Sequence, residues 1–161
     1  MEEKDQFVVI FMGSKKDRDF ASGIGEVLDE FQVEYEIRAI SAHKAPEVAL
    51  SALEQYEKAE ANIVYIAVAG KSNALGPVLS ANSLRPVINC PPLGEYKQDI
   101  YSSLRTPGGV PCSTILEPKN AGLHAVKILA AGNEELKGRI NSWQRDQREA
   151  IVADDREISF S

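Results

Sequence analysis

Histidine, cysteine, long apolar runs and positive charge are all scarce in this chain, and each scarcity excludes something. Two cysteines, Cys90 and Cys112, are too few for a disulfide scaffold and do not form a CxxC pair. A reduced, cytoplasmic setting is the simplest expectation. Neither cysteine has metal-ligand spacing around it, and two cysteines with two histidines do not make a zinc site. No metal is expected, and both cysteines read as buried small residues. No apolar run approaches bilayer-spanning length, and the opening MEEKDQF lacks the apolar core of a signal peptide, so no membrane partner is expected. Lys and Arg number 18 against 24 Asp and Glu, a formal net charge of -6. That argues against a general nucleic-acid binder, which would carry a basic stripe, but leaves a small anionic ligand open because local fields can oppose the net charge.

What is present is a 161-residue chain with 43% hydrophobic residues, the size and composition of one domain with a sizeable core. QFVVIFMGS (6–14) is a continuous apolar run ending at glycine, the pattern of a strand buried on both faces. DRDFASGIGEVLDEF (17–31) has helical spacing, with Asp17 as its expected N-cap. VEYEIRAIS (33–41) alternates as a strand, and Pro46 opens a helix. NIVYIAVAG (62–70) is a second buried strand, followed by SNALGPVLSAN as a short helix. PVINCPP (86–92) and CSTILE (112–117) read as strands, with DIYSSLR (99–105) a helical piece between them. KNAGLHAVKILAAG (119–132) reads as a helix stopped by glycine. A long amphipathic helix at about 133–156 follows, with Leu136, Ile140, Trp143 and Ile151 as its apolar points. This alternation predicts one three-layer α/β domain over 1–161, a flavodoxin-like or Rossmann-like parallel sheet of about five strands, with its core at about 7–131. Ligands in such folds sit beyond the carboxyl ends of the strands, which directs attention to MGSKKD, ISAHKAP, AGKSNALGP and NCPPL.

Familiar phosphate motifs fail there. GKS at 70–72 lacks the earlier glycine of a P-loop, since position 65 is Tyr, and GIGEVL at 23–28 lacks the final glycine of a dinucleotide fingerprint. A phosphorelay receiver needs an aspartate at the end of the third strand, where this chain reads AVAGKS. MGSKKD offers an anion backbone N–H groups, a hydroxyl and a helix start, although Ser14 and Asp17 can equally serve only as caps. ISAHKAPE places His43, one of only two histidines, in a polar turn between Ser41 and Lys44. An imidazole there can exchange a proton near neutral pH while Ser41 and Lys44 hold a phosphate or carboxylate, against the plainer alternative of a structural histidine. His124 lies within a helical pattern and reads as packing or solvent-facing. AGKSNALGP can form a carboxylate or oxyanion nest, or simply a tight turn capped by Ser72 or Asn73.

Taken together, MGSKKD, SAHKAP and AGKSNALGPV resemble the aminoimidazole ribonucleotide (AIR) carboxylase and carboxyaminoimidazole ribonucleotide mutase family of purine biosynthesis. CPPL, DIYSSLR, TPGGVPCSTIL and PKNAGLHAVKILA extend the resemblance over about residues 7–131. The mutase branch typically reads SAHR with a GGAAHLPGM-like third turn. SAHK and AGKSNALGPV are similar to the other branch, which carboxylates AIR with carbon dioxide and without ATP. That branch commonly has Arg where Lys71 stands; Lys keeps the charge but not the bidentate fork.

The resemblance implies that Ser14, Ser41 and Lys44 bind the 5′-phosphate and Asp17 the ribose hydroxyls. It implies that Gly70 and Ser72 line the base and the carboxylate or carbon dioxide pocket, and that His43 is the general acid/base. It implies no metal or organic cofactor, and a homo-oligomer, an octamer with a tetramer as the smaller alternative, whose sites form between subunits. The competing readings are the mutase and a non-enzymatic nucleotide- or flavin-binding module.

Overall fold

A computed structural model of the chain describes residues 5–95 and 97–159. The first four residues of the polar opening stretch, and the last two of the expected 1–161 domain, lie outside the described residues.

Five parallel strands form one sheet: β1 (Gln6–Met12), β2 (Glu34–Ala39), β3 (Asn62–Val68), β4 (Val87–Asn89) and β5 (Ser113–Thr114), in the order β2-β1-β3-β4-β5. The helices are α1 (Arg18–Glu30), α2 (Pro46–Glu57), α3 (Leu75–Ala81), α4 (Tyr101–Leu104), α5 (Pro118–Leu129) and α6 (Glu134–Ser159). β1 and β3 are central, and their unbroken apolar runs follow from cover on both faces. Successive side chains on a strand point to opposite faces, so one stretch feeds two cores. Val8, Ile10 and Met12 join Ile24, Leu28, Ala121, Val126 and Leu136 under α1, α5 and the start of α6. Val9 and Phe11 join Ala49, Leu53, Tyr65, Leu75 and Leu79 under α2 and α3. β2 is an edge strand, which explains its alternation of exposed and half-buried residues.

Several expected elements are shorter or begin differently. The helix expected from Asp17 starts with a 3₁₀ turn over Lys15–Asp17, and α1 follows. Asp17 occupies the N-cap position of α1 but its side chain makes no capping bond, so the expected cap is corrected. The expected strand at 112–117 contracts to two residues, which pair only with Ile88 and Asn89. Pro118 opens α5 directly afterwards, and the Glu117 carboxylate accepts the Asn120 N–H at its start. Cys90 is fully buried but Cys112 is half-buried, so only the first fits the expectation of a buried small residue. Burial pushes the Cys90 thiol up to about 12, which keeps it protonated at neutral pH.

The C-terminal helix divides in two. Leu136 and Ile140 are buried on the domain, and Trp143 packs against Phe31 at 6.0 Å between ring centroids. Ile151, expected on the same apolar stripe, is 68% exposed, with Val152 and Ile158 exposed beside it. A 26-residue helix is about 39 Å long, and only its first half is packed on the domain. Among the described residues no helix is long and apolar enough to cross a membrane.

Candidate active site

The strand order reverses between β1 and β3, where the chain goes outward to β2 and then returns past β1. In parallel sheets this switch point opens a crevice at the carboxyl ends. Met12 is in register with Ala39 on one side and Val68 on the other. Beyond that level the turns stay tied together: Gly13 N–H donates to the Val68 carbonyl at 2.9 Å, and Ile40 N–H to the Met12 carbonyl at 2.7 Å. The stretches carrying Ser14 and Asp17, Ser41 to Lys44, and Gly70 to Ser72 therefore leave the same edge of the sheet side by side. His124 does not join them; it is half-buried on α5.

In the first turn, the Ser14 hydroxyl accepts the Lys16 N–H at 3.2 Å and the Ser14 carbonyl accepts the Asp17 N–H at 3.1 Å. Burial raises the Asp17 carboxyl above its ordinary range, and a backbone hydrogen bond from Ser14 pulls it back in part. In the second turn, the Ser41 hydroxyl accepts the Lys44 N–H at 3.3 Å and the Ser41 carbonyl accepts the Ala45 N–H at 3.0 Å. A serine closing its own turn in this way leaves its proton available to a ligand. Pro46 then opens α2, fixing where the turn ends. His43 and Lys44 stand exposed at the crest, and among the described residues the His43 ring has no hydrogen-bond partner. It is free to turn toward a substrate.

The third turn is built under constraint. A Cβ on Gly70 would lie 2.9 Å from the Pro92 carbonyl oxygen, so glycine lets the turns after β3 and β4 approach closely. Lys71 has φ +57°, a left-handed conformation that costs a lysine about 1–3 kcal/mol. Neither Gly70 nor Ser72 has a positive φ, so Lys71 is the one left-handed residue of this turn. Of what holds this turn, the sequence reading offered Asn73 as a cap and missed Ser102 and Ser103. The Ser102 hydroxyl accepts the Asn73 N–H at 2.9 Å and donates to the Lys71 carbonyl at 3.0 Å. The Asn73 amide, buried at 4% exposure, donates to the Ser103 hydroxyl at 3.0 Å, and its oxygen accepts the Gly76 N–H. Beneath them the Ser103 carbonyl accepts from the Thr114 hydroxyl at 2.9 Å and the Asn89 amide at 3.4 Å. An asparagine within the apolar PVINC run and a paired serine in DIYSSLR were the available signals.

The arrangement presents the Ser14 and Ser41 hydroxyls and the ammonium groups of Lys15, Lys16 and Lys44 on two neighbouring turns, with the His43 imidazole on the second and the Gly70–Ser72 turn on the other side of the first. It suits a ligand with an anionic group at one end and a site of proton transfer and charge at the other. A cavity of about 350 Å³ lined by Gln6, Gln32, Asn133 and Arg139 lies at the other, amino end of the sheet and shares none of these residues.

The fold defines an α/β protein with a topological switch point between β1 and β3, and the candidate residues lie on the turns that leave the sheet there. Residues 7–150 match the family described as AIR carboxylase, and the chain belongs to that family. A phosphoribosylaminoimidazole carboxylase of Archaeoglobus fulgidus is 39% identical over 152 residues, covering 93% of this chain and 83% of that protein. The crystal structure of Treponema denticola PurE superposes with a TM-score of 0.92 at 38% identity, covering 94% of this chain and 98% of that one. A bifunctional phosphoribosylaminoimidazole carboxylase/phosphoribosylaminoimidazole succinocarboxamide synthetase of Drosophila melanogaster is 44% identical over 133 residues, 81% of this chain. This chain spans only about a third of such animal relatives, 31% in that case.

Proposed function

We propose that the chain, as one domain over 1–161, is an ATP-independent phosphoribosylaminoimidazole carboxylase that reversibly joins carbon dioxide to carbon 4 of AIR. The observation that carries the reading is His43, without a hydrogen-bond partner among the described residues, on a Ser41-closed turn next to Lys44 and at the switch point. The aminoimidazole ring is an enamine, so carbon 4 attacks carbon dioxide and forms the new C–C bond. The adduct bears a proton and a carboxylate on the same carbon. His43 takes that proton and the ring regains aromaticity; in reverse His43 returns it and carbon dioxide leaves. Ser14, Ser41 and Lys44 hold the 5′-phosphate, Asp17 takes the ribose hydroxyls, and Gly70 and Ser72 border the carboxylate. No cofactor enters this scheme.

Carbon dioxide must be held away from water, yet His43, Lys44, Ser14 and Ser72 are exposed in one copy of the chain. Leu93, Tyr101 and Leu104, on segments that contact or follow the third turn, are 39%, 60% and 56% exposed. Apolar surface of this kind beside an open site supports closure by further copies of the chain. The assembly proposed is a homo-octamer, or the smaller tetramer, and the setting the cytoplasm.

The test is an ATP-free assay of purified protein given either AIR with bicarbonate or the carbamate carboxylated on the exocyclic amine. Product from AIR and carbon dioxide, with no direct use of the carbamate, fits the proposal. Preference for the carbamate makes the chain a mutase, and no product from either removes the enzyme reading. Lys44→Ala should raise the Michaelis constant for AIR about 10- to 100-fold with a smaller change in kcat, the loss of one charge-assisted phosphate contact. An unchanged Michaelis constant would take Lys44 out of the phosphate site.

A further inference from the structure

The third turn is positioned from a distance by a residue to which neither the sequence reading nor the proposed mechanism gives a part. We propose that Ser102 is a positioning residue for the carboxylation step, holding the Gly70–Asn73 turn in its ligand-ready shape. This rests on the reading of that turn as the border of the carboxylate pocket.

Two peptide groups flank the Cα of Ser72. The carbonyl of the first belongs to Lys71 and the N–H of the second to Asn73. The Ser102 hydroxyl engages both, donating to Lys71 at 3.0 Å and accepting from Asn73 at 2.9 Å. One side-chain oxygen, 31 residues from Lys71 and 29 from Asn73, thus holds the Asn73 peptide and lies within reach of the Lys71 carbonyl on the other side of Ser72. The Asp99 carbonyl at 2.7 Å competes for the same proton, so the grip on Lys71 is adjustable while that on Asn73 is constant. Lys71 needs such a grip because φ +57° is a conformation a lysine leaves when its surroundings release it.

Ser102 is separable from the structural part of the network. Its neighbour Ser103, 2% exposed, binds the Asn73 side chain, and through its carbonyl Asn89 and Thr114; that half ties α3, β4, β5 and α4 together. Ser102 is only half-buried, so water can replace its bonds once it is gone. The fold then stands while the turn relaxes. Relaxation at Ser72 harms a ligand that carries a carboxylate at carbon 4 and spares one that carries hydrogen there.

The experiment compares Ser102→Ala and Ser102→Thr with the unaltered protein. It reads thermal midpoint, calorimetric affinity for AIR and for the 4-carboxylated product, and rates in both directions. Ser102→Ala should keep AIR affinity within about twofold, lose about tenfold in affinity for the carboxylated product, and slow both directions about 10- to 100-fold. Ser102→Thr, which keeps the hydroxyl, should recover most of the loss. Equal weakening of both ligands, or unchanged rates in Ser102→Ala, overturns the proposal. If Ser102→Ala does not fold, the near-isosteric Ser102→Cys takes its place; failure of both to fold overturns the proposal by making the hydroxyl structural. An unaltered protein that cannot carboxylate AIR refutes the parent reading instead, a result visible before any variant is made.

Discussion

His43→Asn should bind AIR about as tightly as the unaltered protein and carboxylate it about 100- to 10,000-fold more slowly. The range is that of one general acid/base contribution. Asparagine keeps a planar polar group at the crest of the turn but cannot take a proton from carbon 4. Binding is spared because the turn is closed by Ser41 and continued by Pro46, not by the imidazole. The ring makes no hydrogen bond among the described residues, so its removal breaks no contact that the fold uses. Calorimetric AIR binding and steady-state rates in both directions check this. Reaction rates near those of the unaltered protein would end the proton-transfer role, and lost binding with an intact thermal midpoint would recast His43 as a ligand contact. Both directions must fall by the same factor, since one group serves forward and reverse.

What could be read from the chain beforehand, and what could not, divides along physical lines. β1 and β3 were legible because burial on two faces leaves an apolar run that no surface helix would carry. The carboxyl-end turns were legible for a topological reason: alternating strands and helices force the polar residues after each strand onto one edge. Asp17 takes the N-cap position its residue type and place suggest, but makes no capping bond, and the 3₁₀ turn that ends on it leaves no mark in composition. Lys71 gave no warning, since a left-handed backbone is announced only when the residue is glycine or asparagine. The Ser102 and Ser103 bonds join residues about thirty apart, beyond any periodicity. β5 was overextended because CSTILE has strand propensity throughout, and tertiary pairing gives it only two partners.

Gly76→Ala should be the most damaging of the glycine-to-alanine substitutions, at about 1–5 kcal/mol of unfolding free energy. The added Cβ would lie 1.7 Å from the Asn89 Oδ1 and 2.9 Å from its Cγ, with the Ala67 Cβ at 3.4 Å behind. Asn89 cannot yield easily. It is fully buried in β4, paired in register with Ala67 and Thr114, and its amide donates to the Ser103 carbonyl. Overpacking alone costs about 1–3 kcal/mol, and displacing a buried amide from its partner adds about 1–3 more. Helix propensity works the other way, since alanine is favoured over glycine by about 1 kcal/mol inside a helix, so any net loss measures the clash. The attribution is testable by a double-mutant cycle in urea. Asn89→Ala should itself be destabilising, because it leaves a cavity beneath α3 and takes one donor from the Ser103 carbonyl, which keeps Thr114. In that background the space vacated by the amide accepts the new methyl group, so Gly76→Ala should cost much less there than in the unaltered chain. The same loss in both backgrounds would mean that Asn89 is not what glycine at 76 accommodates. A strong coupling would tie the third-strand turn to the sheet through Gly76, Asn89 and Ser103, and so place the rigidity of that turn in the core beneath it.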